Sequence, residues 1–163
     1  MIPGGLQDAA IVEALNAWDP DAVVDGVRDR GQVTLMIRPD KIRETCRHLK
    51  QEEGFVRLSG ITAVDWHPRE PRFEVVYQLH SLERNERLRL KCRLGGARPE
   101  IISVTAVWRN ANWYEREVYD LFGIRFREHP DLRRILLPEE WEGHPLRKDF
   151  PVDGYKYSYR NET

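Results

Sequence analysis

Carboxylates and histidines are the side chains of this sequence with the most chemistry to offer. Glu115 and Glu117 stand two apart in "NWYEREVYDLFG", and Glu139, Glu140 and Glu142 follow in a proline-rich stretch. Paired carboxylates can supply the acid and the base of a hydrolytic site. Residues this close on a helix do not share a face, however, and Glu115 is spaced to close a capping box on Asn112, so a solvated surface is the simpler reading. His129 and His144 each precede a proline, which favours extended backbone, and neither has a cysteine nearby. No CxxC, HxxxH or HExxH occurs, so zinc and iron–sulfur ligation are not indicated, and the two histidines read as turn residues whose rings bond locally.

Other chemistries find less support. Gly4-Gly5 and Gly95-Gly96 lack the strand-to-helix spacing that wraps a pyrophosphate, and no GxSxG elbow is present. Cys46 falls in a helical pattern and Cys92 in a strand pattern; both read as small packed hydrophobes, with no disulfide framework, as in a reducing compartment. Arg87, Arg89, Lys91 and Arg93 alternate along one strand, which raises nucleic acid as a ligand. That face carries no interleaved aromatics for base stacking, and Glu74 can lie across the hairpin as a counter-charge, so a solvated sheet face is expected and no nucleic acid partner.

What remains is "HPDLRRILLPEEWEGHPLRKDFP", His129 to Pro151, with two histidines, nine charged residues and four prolines. Pro130, Pro138, Pro145 and Pro151 fix φ and lower the entropy lost when the segment is laid along a surface. Leu132, Ile135, Leu136, Leu137, Trp141, Leu146 and Phe150 are interleaved with Arg133, Arg134, Arg147 and Lys148, and Trp and Arg are prominent in interface energetics. Two readings stand side by side: a strap that binds neighbouring chains, and a segment that wraps its own body.

The elements that must carry these residues follow from periodicity. Leu6, Ala9, Ala10, Ile11, Ala14, Leu15 and Trp18 predict a helix ending at Asp19-Pro20; "QVTLMIR" predicts a strand after an irregular stretch, and "RPDKIRETCRHLKQEEG" a helix closing at Gly54. "FVRLSGITAVDW" predicts a strand bent or bulged at Ser59 and Gly60, and "RFEVVYQLH" and "RLRLKCRL" a hairpin through "SLERNE". "NWYEREVYDLFG" predicts a helix with Asn112 as N-cap, Gly123 past its end, an apolar stripe of Tyr114, Val118, Leu121 and Phe122, and an Arg116–Asp120 pair.

The chain has 163 residues and a net charge of -1, from 26 Lys plus Arg against 27 Asp plus Glu, which gives no bulk pull toward any partner class. No apolar run approaches a membrane span and "MIPGGLQDAA" has no signal-peptide pattern, so the chain reads as soluble and unexported. The expected fold is α+β: a mainly antiparallel sheet of about four strands packed with two or three helices over 1–128, followed by a long extended C-terminal strap over 129–163.

"ANWYEREVYDLFGIRF", followed by "HPDLRRILLPEEWEGHPLRKDFP", closely resembles the family of the thirty-kilodalton subunit of respiratory complex I, in the form found in bacterial NADH-quinone oxidoreductase. The resemblance is strongest from Ala111 to Tyr155 and extends to the three strands before it. It implies a peripheral-arm subunit on the cytoplasmic side of the bacterial inner membrane, touching the membrane only indirectly, beside the quinone-pocket subunit and the iron–sulfur subunits. It implies no redox cofactor in this chain, with FMN and iron–sulfur clusters in the partner subunits. The whole assembly would pass electrons from NADH to quinone and pump protons, and this chain would contribute assembly and geometry.

By motif position Glu115, Arg116, Glu117, Asp120, His129, Asp131, Leu132, Arg133, Arg134, Trp141, His144, Arg147, Lys148 and Asp149 match the family, as do Pro130, Gly143 and Pro145, and are expected to dock partners and shape the strap. Some bacterial relatives continue into the quinone-pocket subunit; with Thr163 as its last residue, this chain is expected to associate noncovalently. Removing Asp131 to Tyr155 is expected to leave a folded body that no longer assembles. The alternatives are the equivalent subunit of a related membrane-bound hydrogenase or of a dehydrogenase with another donor, and an independent soluble enzyme. "LPEEWEGHPLRKDFP" favours the respiratory version.

Overall fold

Alternation of buried and wet residues builds the centre of the molecule. The computed structural model describes residues 10–154. The predicted helix positions Leu6 and Ala9, and the end of the strap at 155–163, lie outside the described residues. Strands β4 (Phe73–Ser81) and β5 (Glu86–Leu94) pair antiparallel, with Val75 opposite Cys92 and Tyr77 opposite Leu90. Phe73, Val75, Tyr77 and Leu79 all turn to one face and are buried, as a period of two requires. β3 (Arg57–Asp65) adds antiparallel to β4, and its register shifts between Leu58 and Gly60, at the predicted bulge.

The sheet is mainly antiparallel, as expected, with five strands where about four were expected and with one parallel pairing. β1 (Val23–Asp29) and β2 (Gln32–Ile37) form a further hairpin, and β2 joins β5 in parallel, giving the order β1-β2-β5-β4-β3. β1 has no hydrophobic alternation because nearly all of it is wet, so periodicity could not find it. Its two-residue turn, Arg30-Gly31, takes positive φ at both positions, the geometry that hairpin twist demands, with arginine where asparagine is the usual signal.

Among the described residues, three helices complete one core with the inner face of the sheet. α1 (Ala10–Trp18) contributes Val12 and Leu15 and stops at Asp19-Pro20; α2 (Ile42–Gln51) contributes Ile42, Cys46 and Leu49. α3 (Ala111–Phe122) contributes Ala111, Val118 and Phe122, and its end is closed by Gly123 at φ 72°. Flanking α3, β6 (Glu100–Ile102) and β7 (Arg125–Arg127) pair in parallel as a separate two-stranded ribbon.

On the outer face Glu74 is buried beneath the cations of β5. Lys91 Nζ lies 2.8 Å and Arg93 Nε 3.7 Å from its carboxylate, while Arg89 donates to Gln32. The counter-charge expected across the hairpin is in place. Cys46 and Cys92 are both free and buried, and burial raises both thiols above their ordinary pKa.

Candidate functional site

Helix α3 buries three charged residues, Glu115, Arg116 and Asp120, where its amphipathic pattern predicts apolar ones. Glu115 stands on the core stripe with Ala111, Val118 and Phe122, at i, i+3, i+4 and i+7 spacings among them, whereas Tyr114 and Leu121 are only partly buried. The predicted cap is not formed. Asn110 is the N-cap, without a capping bond, and its side chain donates instead to the Leu58 carbonyl of β3. Glu115, freed from capping, accepts 2.6 Å from Ser103 Oγ and 2.7 Å from the Val104 N–H. Burial pushes its carboxyl up to about 7, against the pull of those two bonds and of Arg43.

His129 lies beside it, its side chain fully enclosed, with Nε2 3.9 Å from Glu115 Oε2. Its Nδ1 accepts the Asp131 N–H at 3.0 Å, so Nε2 carries the proton and donates to the Asn112 carbonyl at 3.2 Å. That places the ring in the neutral state, and burial lowers its pKa accordingly. The pair is therefore a packed carboxyl and a neutral imidazole.

The predicted Arg116–Asp120 pair is replaced by two attachments to the strap. Arg116 donates to the carbonyls of Arg133 and Arg134 at 3.2 and 2.9 Å, and its guanidinium lies over Trp113. One oxygen of Asp120 accepts the successive N–H groups of Ile135, Leu136 and Leu137 at 2.8–3.0 Å, and the other takes Arg134 Nη1 at 2.6 Å. Burial alone would raise the Asp120 carboxyl; the Leu137 N–H, Arg134 and the Ile135 and Leu136 N–H groups overcome it and hold it below the ordinary value. Arg134 continues to the carbonyls of Trp141 and Gly143, so one guanidinium ties both limbs of the strap to the helix. His144 donates through Nδ1 to the Asp120 carbonyl at 2.8 Å, and Arg147 donates to the Phe122 carbonyl at 2.6 Å, which together cover the C-terminal end of α3.

The far limb ends on a second anchor, of which the motif names Lys148 and Asp149 while nothing announces Arg72 and Asp65. Arg72, just before β4, donates through Nε and Nη2 to Asp65 at 2.9 and 2.8 Å, and through Nη1 and Nη2 to Asp149 at 2.9 and 2.6 Å. Asp65 also accepts the Lys148 N–H at 2.8 Å and the His67 N–H at 2.9 Å. Its burial is outweighed by these bonds, and its carboxyl stays well below the usual range. Arg72 and Arg147 both lie against the ring of Phe73.

The strap is thus a succession of turns, with no helix or strand after β7 among the described residues, in place of the extended run expected. The structure divides the fourteen predicted site residues. Glu115, Arg116, Asp120, His129, Arg134, His144, Arg147 and Asp149 bind within the chain, and Leu132 packs against the core. Glu117, Asp131, Arg133, Trp141 and Lys148 face outward, Asp131 and Arg133 paired with each other at 2.9 Å. Leu136 and Leu146 also face outward, 61% and 51% exposed. Among the described residues no three His, Cys, Asp or Glu side chains gather as a metal site requires, and no helix is long and apolar enough to cross a membrane.

Comparison with known proteins places this architecture. Residues 35–156 match the family model described as respiratory-chain NADH dehydrogenase, 30 Kd subunit. An NADH-quinone oxidoreductase subunit of Rhizobium etli is 51% identical over 138 residues, 83% of this chain and 73% of that protein. Among solved structures, a trypsin-resistant fragment of Nqo5 is 32% identical with a TM-score of 0.66, over 75% of this chain and 98% of that one. A chain of the membrane-bound sulfane sulfur reductase, an archaeal respiratory membrane complex, is 31% identical with a TM-score of 0.76, over 87% of this chain and 84% of that one. The buried charges of α3 and the turns they hold thus lie within the matched region, and the chain belongs to the family of the 30 kDa subunit of respiratory-chain NADH dehydrogenase.

Proposed function

We propose that this chain is a noncatalytic peripheral-arm subunit of a proton-pumping NADH:quinone oxidoreductase, and that the outward surface of the 129–163 segment docks to its quinone-pocket and iron–sulfur subunits. FMN and the clusters belong, on this reading, to those partners, and the chain sits on the cytoplasmic side of the bacterial inner membrane without entering it. The observation that carries the proposal is the division of labour within the strap. Its backbone and most of its arginines are satisfied inside the chain, which leaves Leu136, Trp141 and Leu146 presented outward on a pre-formed surface. Pre-organisation lowers the entropy cost of binding, and exposed large apolar residues held in place are the usual anchors of an interface.

Deleting the strap is a poor test, because it strips buried Asp120 and Arg116 of their partners. Replacing Leu136, Trp141 and Leu146 together by alanine touches neither anchor. The triple variant is expected to keep its melting temperature within about 5 °C, since exposed substitutions shift stability by about 0.5 kcal/mol or less each. It should lose most co-purification with the other subunits in mild detergent, and NADH-driven quinone reduction in proportion. Normal assembly and turnover would show that this face docks nothing.

A second reading rests on the likeness to a chain of the sulfane sulfur reductase. The same module would then serve an assembly with another electron donor or acceptor. Identifying the proteins that co-purify with the chain separates the two.

A further inference from the structure

The strap anchors at the corner where β4 begins. At the other end of β4, nine residues and about 30 Å away, two hairpin turns, the first residues of α1 and the segment after α2 line a cleft of about 710 Å³. Its floor is apolar, with Val33, Phe55 and Leu88. Four arginines line it. Arg84 is engaged, 3.2 Å from Glu86, bonded to the Glu53 carbonyl and lying over Phe55. Arg28, Arg30 and Arg87 are exposed and make no side-chain hydrogen bond or ion pair among the described residues. Of the two acids of the lining, Glu86 is paired with Arg84, and the Glu53 carboxylate lies 3.8 Å from the ring of His48.

Three exposed cations border an apolar floor, and water alone meets their charge among the described residues. Like charges repel, and a net -1 chain has carboxylates to spare. The adjoining strand is β1, the outer strand of the sheet, which among the described residues pairs with β2 alone and has no strand on its other edge, beside Arg28, with Val24 and Val27 more than half exposed. A small phosphate site would converge its donors on one point from enclosed positions. Here the guanidinium groups are spread over two turns and two strands, with a hydrophobic strip between them. That layout fits a chain whose carboxylates meet the arginines while an apolar side chain lies on the floor and its backbone runs along β1.

We propose that this cleft is a second docking site, which takes an acidic extended segment of a neighbouring polypeptide. The proposal rests on the reading of the chain as a subunit of a larger assembly. Electrostatic docking of this kind weakens with salt and is lost on charge reversal.

Two measurements on the full chain in its membrane complex test it. First, a photo-reactive benzoylphenylalanine in place of Arg30 is expected to cross-link to a segment of another subunit rich in Asp and Glu. A cross-link to a neutral or basic segment, to this chain's own residues including its first nine, or to no protein at all overturns the proposal. Second, the combined variant Arg28→Glu, Arg30→Glu, Arg87→Glu is expected to be retained about tenfold less than wild type in complexes washed at about 0.05 M KCl, and the wild type to lose retention toward about 0.5 M. Equal retention of the variant and wild type at both salt levels overturns it. The isolated variant should melt with wild type, because the three side chains contact nothing that holds the fold. If the wild-type chain itself co-purifies with no partner, the subunit reading fails; if it does and the variant behaves identically, only the second site fails.

Discussion

Glu115 and Asp120 are acids of one helix, both fully enclosed, and they are driven in opposite directions by their surroundings. Asp120 meets three backbone N–H groups and a guanidinium and stays charged; Glu115 meets one hydroxyl and one N–H and rises to about 7. The folded chain therefore holds a proton on Glu115 that the unfolded chain releases between about pH 4.5, its ordinary value, and 7. The contribution of this group is complete below that window and declines as pH rises through it, by about 3 kcal/mol in all. Glu115→Gln keeps an acceptor for Val104 and carries no charge. It is expected to match wild type near pH 5 and to melt at least about 5 °C higher at pH 8. His129 works with the opposite sign, because burial lowers its pKa: its contribution is present above 6.5 and is lost as acid protonates Nδ1 and breaks the Asp131 bond. In Glu115→Gln the remaining neutral-range slope should thus be the loss on acidification. A variant whose melting profile tracked wild type from pH 5 to 8 would place a permanent charge, or none, on Glu115.

At the scale of elements, the strap is fixed at α3 by Asp120 and at the β3–β4 corner by Arg72, and the second anchor shows how a buried pair distributes its energy. Asp65 is the enclosed member, 1% exposed against 45% for Asp149, so the Asp149 bond is screened and contributes little. Arg72→Met strands the Asp65 charge and is expected to cost about 3–5 kcal/mol. Adding Asp65→Asn removes the charge yet keeps an acceptor for Lys148 and His67, and should return most of that loss. Equal destabilisation of the single and double variants, measured by urea titration, would mean that packing against Phe73, and not the charge, sets the cost. This anchor also marks the limit of the sequence. β3, β4, β5 and α3 were legible because period and punctuation are local signals. Arg72 and Asp149 are 77 positions apart, and no spacing rule joins them. Glu115 read as a capping acid on a solvated surface, but its partners Ser103 and Val104 precede the helix and it is buried, so the short-range capping box was the wrong local rule. Arg116 and Asp120 have i,i+4 spacing and still part, because unsatisfied strap carbonyls and N–H groups offer each a better buried partner.

For the whole molecule the question is whether the body over 1–128 and the strap over 129–163 are separate cooperative units. Their function divides there, on our proposal, but their bonds do not. Asp120 and Arg116 of the body are satisfied only when the strap is seated, Asp65 and Arg72 gain Lys148 and Asp149 from it beyond their own pairing, and Leu132 packs on the same core as β4 and α3. Releasing the strap would strand the enclosed Asp120 carboxylate, all of whose partners lie in the strap, and remove one N–H from Asp65, a cost of several kcal/mol that is comparable to the lower end of domain stabilities. Local release is therefore about as expensive as global unfolding, and the two should coincide. Urea denaturation of the isolated chain is expected to give one transition, with far-ultraviolet circular dichroism, which reports the body, superimposed on hydrogen exchange at the amides of Ile135, Leu136 and Leu137, which reports the strap. If those three amides exchange through an opening well below the global unfolding energy, the strap is a flap that closes on assembly. If they share the global value, the chain arrives at its partners with its docking face already built, and only the outward side chains remain to be covered.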